Sequence, residues 1–324
     1  MSMSNNINNG VFSESNIDSL WRNVKTYRTS ENYMAVMNAC SRFRHLAPYN
    51  AMLVEMQRPG ARYVLTEKEW RYKYDRGIKP NARPLIILVP FGPVDFLFEI
   101  GDTYPLKTGL FWKTDDEILE EIAAPYKTKK DVSDNILNTT LERLPTHGIA
   151  IDTSFVAGAD YAAQIELLES HSHYINVYVG KEQNLKWYAN YLLSVNKNAQ
   201  KGECFASICH ELGHLFCQHL IAPNDWKKWQ VRNLPHAAKE FEAESVSWLI
   251  CERLGIGNPS EKYLSWYITS NNEIPSEVSI EKILYAAKEV WSMCSLEAHT
   301  SYRDGLLYKH CDDFKNTVKQ LKEK

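Results

Sequence analysis

The ten residues "SICHELGHLF", 207–216, constrain this chain more than any other stretch. In a helix, positions i and i+4 lie one turn apart on one face, so His210 and His214 can aim two imidazoles at a single ion. Glu211 is rotated by about 100° from His210, near enough to reach a water beside that ion without being a ligand itself. This is the HExxH pattern, in which the histidines hold zinc and the glutamate serves as general base. A purely structural site needs no base beside its ligand pair, so Glu211 favours hydrolysis over a structural role.

A catalytic zinc needs a third protein ligand and an open position. Downstream, "HAAKEFEAESVSWLICERLG" reads as a second helix, with Glu240 and Glu244 one turn apart on a common face and Glu242 roughly opposite. The expected division of labour has Glu240 ligating the metal and Glu244 accepting the second ring N–H of a ligating histidine. Zinc held by His210, His214 and Glu240 would bring a bound water toward neutral acidity, and Glu211 would take its proton during attack on a peptide carbonyl. Tyr263 is a candidate to polarise that carbonyl, with Tyr267 beside it in the sequence. His219 does not fit the spacing of a third histidine ligand and reads as an ordinary helix-end histidine. His236 reads as structural, with a spare-ligand role as the alternative. An extended substrate is expected to pair along an edge strand, for which "WYANYLLSV" is the candidate.

Composition narrows the setting. No run of eighteen apolar residues occurs, and the leader "MSMSNNINNG" is polar, so no membrane span or secretion signal is expected and the protein reads as cytoplasmic. The seven cysteines contain no CxxC pair and are expected to be reduced and mostly buried. Charge is uneven: residues 20–85 carry 13 Lys and Arg against 5 Asp and Glu, within a chain of net charge −3. Nine aromatics share that basic stretch, a mixture that single-stranded nucleic acid uses for phosphate contact and base stacking. Arg71, Lys73, Arg76 and Lys79 are the candidate contacts.

Along the chain, residues 1–15 read as a disordered leader. Apolar spacing predicts helices between Ile17 and Gln57, a short helix at "TEKEWRYKYDRG", and a strand pair in "RPLIILVP" and "DFLFEIGD". Residues 16–113 form a small α+β module, 114–145 a connection with two short helical patterns, and 146–324 the domain that carries the metal motif. Strands are expected at "HGIAID", "INVYVG" and "WYANYLLSV".

At these motifs the chain resembles known families. "HELGH" followed by "EFEAE" resembles the ImmA/IrrE metallopeptidases, a gluzincin-like group with a zincin fold, several of which cleave or inactivate transcriptional repressors. The resemblance covers about residues 180–270 and implies Glu240 as third ligand; Glu244 stands where that group usually has Asp or Asn. "PYNAMLVEM" with "YVLTEKEWRYKYDRGIKPNARPLIILVPFG" is similar to the N-terminal domain of ArdC-like antirestriction proteins, which binds single-stranded DNA and precedes a zincin domain. Asn81 replaces a glycine common there, and residues 93–180 match neither family.

The expectation is therefore an α+β protein in which a zincin-like zinc metallopeptidase follows an ArdC-like module. Its substrate would be a protein, with a regulator or repressor as what the resemblance offers; a protease stimulated by single-stranded DNA, joining both halves, is a third option. The alternative is an antirestriction-type protein that binds single-stranded DNA, with a structural zinc and little or no peptidase activity.

Overall fold

A computed structural model of the protein describes residues 29–89, 94–107, 112–124, 129–156, 162–180, 184–257, 264, 272–298 and 300–323. The expected leader, the helical pattern through Trp21 and Val24, and both Tyr263 and Tyr267 lie outside the described residues.

The first described elements are α1 (Ser30–Arg42), α2 (Pro48–Gln57), β1 (Val64–Leu65) and α3 (Glu67–Tyr74). Thr29 caps α1 and a proline opens α2, where its missing N–H is no loss. The sequence "TEKE" builds a capping box on α3: Thr66 accepts from Glu69 N–H while the Glu69 carboxylate accepts from Thr66 N–H. Then follow β2 (Arg76–Ile78), β3 (Leu85–Ile87), β4 (Asp95–Glu99) and β5 (Thr103–Pro105). The expected strand pair forms, with β3 antiparallel to β4 and Leu85 opposite Leu97. β1 covers the other edge of β4, and β2 pairs with β5.

The chain continues through α4 (Asp115–Ala123), α5 (Asp134–Arg143), β6 (Ile149–Asp152), β7 (Ala163–Leu167), β8 (Tyr174–Tyr178), β9 (Asn184–Tyr188) and β10 (Tyr191–Val195). It ends in α6 (Lys201–Phe216), α7 (His236–Leu254), α8 (Ile280–Cys294), α9 (Leu306–His310) and α10 (Asp312–Lys322). The fold is thus mixed α+β with small sheets. "WYANYLLSV" does not form the expected edge strand. Its first residues close a β8–β9 hairpin, and the rest is the central strand β10, parallel to β6 and antiparallel to β7. Leu193 faces Ile151 on one side and Ile165 on the other, so β10 has no free edge. β7, which sequence reading missed, lies at the edge of that sheet among the described residues.

One large hydrophobic core runs from Tyr33, Phe43 and Met52 through Phe205, Leu212, Phe241 and Leu249 to Val290 and Phe314. Helices α1 and α2, assigned from sequence to the N-terminal module, pack into this core beside α7. Tyr33 Oη donates to Ser245 Oγ at 2.5 Å, and Arg253 Nη2 donates to the carbonyls of Arg44 and Leu46. A second cluster, Leu65, Trp70, Ile100 and Ile118, holds α3 and α4 against the small sheets. α5, in the expected connection, ends on α8: Arg143 Nη1 donates to the carbonyls of Ser292, Met293 and Ser295, which have no partners within a helix end. All seven cysteines are buried and none is in a disulfide, in line with the expectation of reduced, mostly buried thiols.

Candidate metal centre

Two helices build the site. α6 begins after Gln200 and buries Phe205, Ile208, Cys209, Leu212, Leu215 and Phe216, a set that spreads around most of the helix. It therefore lies inside the protein rather than on its surface. α7 packs along it, and Ser247 Oγ donates to the carbonyl of Ala206. At the crossing, Gly213 removes the one side chain that would hold the helices apart: a Cβ there would stand 3.0 Å from Ala243 Cα. This contact brings the ligand face of α6 against the carboxylates of α7.

His210, His214 and Glu240 converge there, each offering one ligand atom within 4.8 Å of the others. The two histidines approach through their Nε2 atoms at 3.0 Å. Glu240 turns one oxygen to each ring, Oε2 to His210 Nε2 and Oε1 to His214 Nε2, both at 3.4 Å. Tetrahedral ligands about 2.0–2.1 Å from zinc are separated from one another by about 3.3 Å. The donor set and its spacing therefore fit a zinc ion. The three side chains keep exposures of 13–21%. His236, largely exposed, places its Nδ1 3.4 Å from Glu240 Oε1.

Glu244 lies beside His210, with Oε1 3.2 Å from Nδ1. The distance suits a charge contact, while the angle falls short of a formed hydrogen bond. Glu211 is not one of the converging ligands. Its Oε2 accepts the N–H of Ile165 at 3.2 Å, which ties the glutamate to the edge strand β7.

Electrostatics follow from burial and proximity. Burial alone would lower His210, but the carboxylates of Glu240 and Glu244 outweigh it and hold its pKa up at about 10 in the metal-free protein. Glu240 shows the reverse balance: burial would raise it, and its histidine partners hold it well below the usual carboxylate range. His214 is pushed below the ordinary histidine value by burial, despite Glu240. Burial lifts Glu211 to about 7, opposed by His210 and the Ile165 N–H. A carboxyl poised near neutrality suits general-base work.

Behind His214 lies a group that sequence reading missed. Cys217 closes α6, and Gln218 adopts φ +64° in the left-handed region. The N–H of Gln218 bonds to Leu215 O and that of His219 to His214 O, a Schellman turn that folds His219 back over the helix end. His219 Nδ1 then lies 2.9 Å from His214 Nδ1, and its Nε2 lies 2.9 Å from Glu242 Oε2. Glu242, fully buried, also receives both guanidinium nitrogens of Arg232 and the N–H of Ser279. Its pKa stays below the usual range: burial would raise it, and the bonds from His219, Arg232 and Ser279 prevail. His219 is thus a partner of a candidate ligand rather than an ordinary helix-end residue. The available signal was Glu242 itself, a carboxylate between core residues Phe241 and Ala243 that must be paired if buried.

The four candidate nucleic-acid contacts stand apart from this centre. Arg71 and Lys73 lie exposed on α3 in i,i+4 ion pairs with Glu67 and Glu69. Lys79 Nζ donates to Gly101 O. Arg76 is buried and bonded to Thr103 and Asp115, so it joins β2 to β5 and α4 instead of facing solvent. Of the aromatics in that stretch, Tyr33, Phe43 and Trp70 are core, whereas Tyr72 is 88% exposed.

Comparison with protein-family models, with curated proteins and with solved structures found no match. No helix among the described residues is long and apolar enough to cross a membrane.

Proposed function

We propose that this chain is a zinc-dependent peptidase of the zincin type, acting on a protein substrate. The observation that carries the reading is the convergence of His210 Nε2, His214 Nε2 and the Glu240 carboxylate, with Glu211 next to the first ligand and lifted toward neutral pKa. When bound, the ion supplies Lewis acidity that acidifies a water and polarises a carbonyl. His210, His214 and Glu240 fix its position. Glu211 Oε2 takes the proton of the attacking water and hands it to the leaving nitrogen. Ile165 N–H, bonded to that carboxylate, holds it at the edge of β7, so an extended substrate chain would pair with the other main-chain groups of that edge.

Glu211→Gln tests the assignment. Glutamine keeps size and hydrogen bonding but cannot accept the proton, so the variant should retain fold and zinc and lose hydrolysis of an unfolded-protein or peptide-library substrate. Cleavage at the parent rate would refute the general-base role.

A second reading, contact with single-stranded DNA, is favoured by one surface. A cleft of about 420 Å³ is lined by the exposed rings of Tyr72 and Trp112 and by Lys73, Lys107 and Lys113, which are ion-paired to Glu69, Asp75 and Glu121. Exposed rings suit base stacking, and phosphate contact would exchange those carboxylates for phosphate on the lysines. Fluorescence anisotropy of labelled oligonucleotides tests it: binding should fall steeply with salt and be independent of zinc. Absence of binding at low salt would leave the cleft as a solvated surface.

A further inference from the structure

We propose that His219, Glu242 and Arg232 form a buried hydrogen-bond chain that fixes the tautomer of His214 and so presents its Nε2 lone pair to the metal. The inference rests on the metal-site reading above.

With Glu242 ionised and His219 neutral, the direction of each hydrogen bond follows from the buried end of the chain. Glu242 has no exposed side-chain surface, and an ionised carboxylate only accepts. Arg232 donates to both of its oxygens, through Nη1 to Oε2 and through Nη2 to Oε1, the latter at 2.8 Å; Ser279 N–H adds a bond to Oε1 at 2.7 Å. The remaining partner, His219 Nε2 at 2.9 Å from Oε2, must therefore donate and carry a hydrogen. A neutral imidazole has one N–H, which leaves His219 Nδ1 bare. His214 Nδ1, 2.9 Å from it, must supply the hydrogen of that contact. His214 Nε2 is then left as a lone pair, directed at the point where His210 Nε2 and Glu240 also meet. A glutamate two residues removed from the metal ligand Glu240 thus decides which nitrogen of His214 can ligate. The chain is rigid, because His219 is 1% exposed and Arg232, its far end, is tied to the carbonyl of Cys217 as well.

The same residues suggest one competing arrangement. Cys217, His219 and Glu242 also bring ligand atoms within 4.8 Å of one another and are buried. A second cation there would sit against the Arg232 guanidinium and would have to displace the contact of His219 with Glu242 or with His214. The charge and the saturated hydrogen bonding oppose that occupancy.

The test uses the full chain, zinc alone as probe, and two substitutions of one residue. His219→Gln preserves the polarity of the chain, since its amide oxygen can accept from His214 and its amide nitrogen can donate to Glu242. His219→Phe preserves ring volume and removes both bonds, leaving Glu242 on Arg232 and Ser279. Chelator competition should show zinc held about 10–100-fold more weakly by His219→Phe, with most of the affinity restored in His219→Gln. Equal affinity of parent and His219→Phe, or better retention by Phe than by Gln, would mean that His219 only fills space and would overturn the proposal. Long-range 1H–15N correlation of the metal-free parent gives a readout that does not depend on zinc. It should place the hydrogen of His214 on Nδ1 and that of His219 on Nε2. A His214 hydrogen on Nε2, with His219 doubly protonated, would reverse the chain and refute it. Two zinc ions per chain would assign the residues to a second metal site instead. A parent that binds no zinc yet shows the expected tautomers would sink the metal reading and leave the chain standing.

Discussion

α6 and α7 meet backbone to backbone at Gly213, and adding one carbon there has a calculable effect. A Cβ at Gly213 would lie 3.0 Å from Ala243 Cα, 3.1 Å from Ala243 O and 3.3 Å from Val246 Cβ. Two of these three atoms belong to the main chain of α7, so no rotamer change relieves the contact. Gly213→Ala must part the helices by a few tenths of an ångström. Overpacking of this kind costs about 1–3 kcal/mol, while alanine's preference for the helix offsets about 1 kcal/mol. The expected result is a net loss of up to about 2 kcal/mol. Gly202, in the first turn of the same helix, is the internal control. Its added Cβ would meet only the Asp131 side chain, Oδ1 at 2.8 Å, which can turn away if it gives up the bond it accepts from Val132 N–H. That loss of about 1 kcal/mol and alanine's helix preference of about 1 kcal/mol offset, so Gly202→Ala should be near neutral. Because His214 follows Gly213 and Glu240 lies one turn before Ala243, only Gly213→Ala should also spread the ligand triangle and weaken zinc. Urea denaturation of the metal-free proteins and chelator competition measure the two effects. Equal stability of the two alanine variants, or parent zinc affinity in Gly213→Ala, would refute the close helix contact as the element that sets the site.

Removing a ligand should remove the ion: His214→Ala and Glu240→Ala should purify without zinc by mass spectrometry, and full occupancy in Glu240→Ala would shift the third ligand to Glu244. Zinc binding should also depend on pH, with the sign set by His210. Held up at about 10, His210 is protonated in the metal-free protein at neutral pH and must release that proton to ligate. Affinity should therefore rise about tenfold per pH unit between pH 6 and 8 for one proton released; a flat profile would contradict a protonated His210. In the basic stretch, Arg71→Glu and Lys73→Glu should change stability by less than about 0.5 kcal/mol, since their ion pairs are solvated. Arg76→Ala removes a buried guanidinium bonded to Thr103 and to the part-exposed Asp115, which keeps Arg62 as a partner, and should cost about 1–3 kcal/mol; equal melting temperatures for the Arg71 and Arg76 variants would show that these bonds contribute nothing.

Most of what could be read from sequence here is what the helix period determines. His210 and His214 share a face because they are four apart, and Glu240 with Glu244 repeats that spacing on the next helix; that the two sets face each other came from the need for a third ligand and from the resemblance, not from the helix period. The strand pair β3–β4 was legible for a similar reason, with two apolar runs close in sequence. β10 was misjudged because an apolar strand looks the same at the edge and at the centre of a sheet, and only pairing on both sides tells them apart. β7 was missed because it is short and alternates Ala163 and Ile165 with polar residues, too few for a clear signal. The placement of α1 beside α7 depends on contacts such as Tyr33 with Ser245, 212 positions apart.

The least legible part is the support behind His214, and its composition bears on why it exists. A positive φ at Gln218 is disfavoured for a residue with a Cβ, yet the turn it makes is what returns His219 to His214. Burying the Glu242–Arg232 pair carries a desolvation cost that apolar residues of similar volume would avoid, so net stability is a poor reason for it. An apolar filling could pack the same space. It could not accept a hydrogen bond from His219, and His214 would then lose the partner that fixes the hydrogen on its Nδ1 side. The polar support therefore makes physical sense as the means of orienting a metal ligand, at a place where the fold alone would be served as well by a leucine.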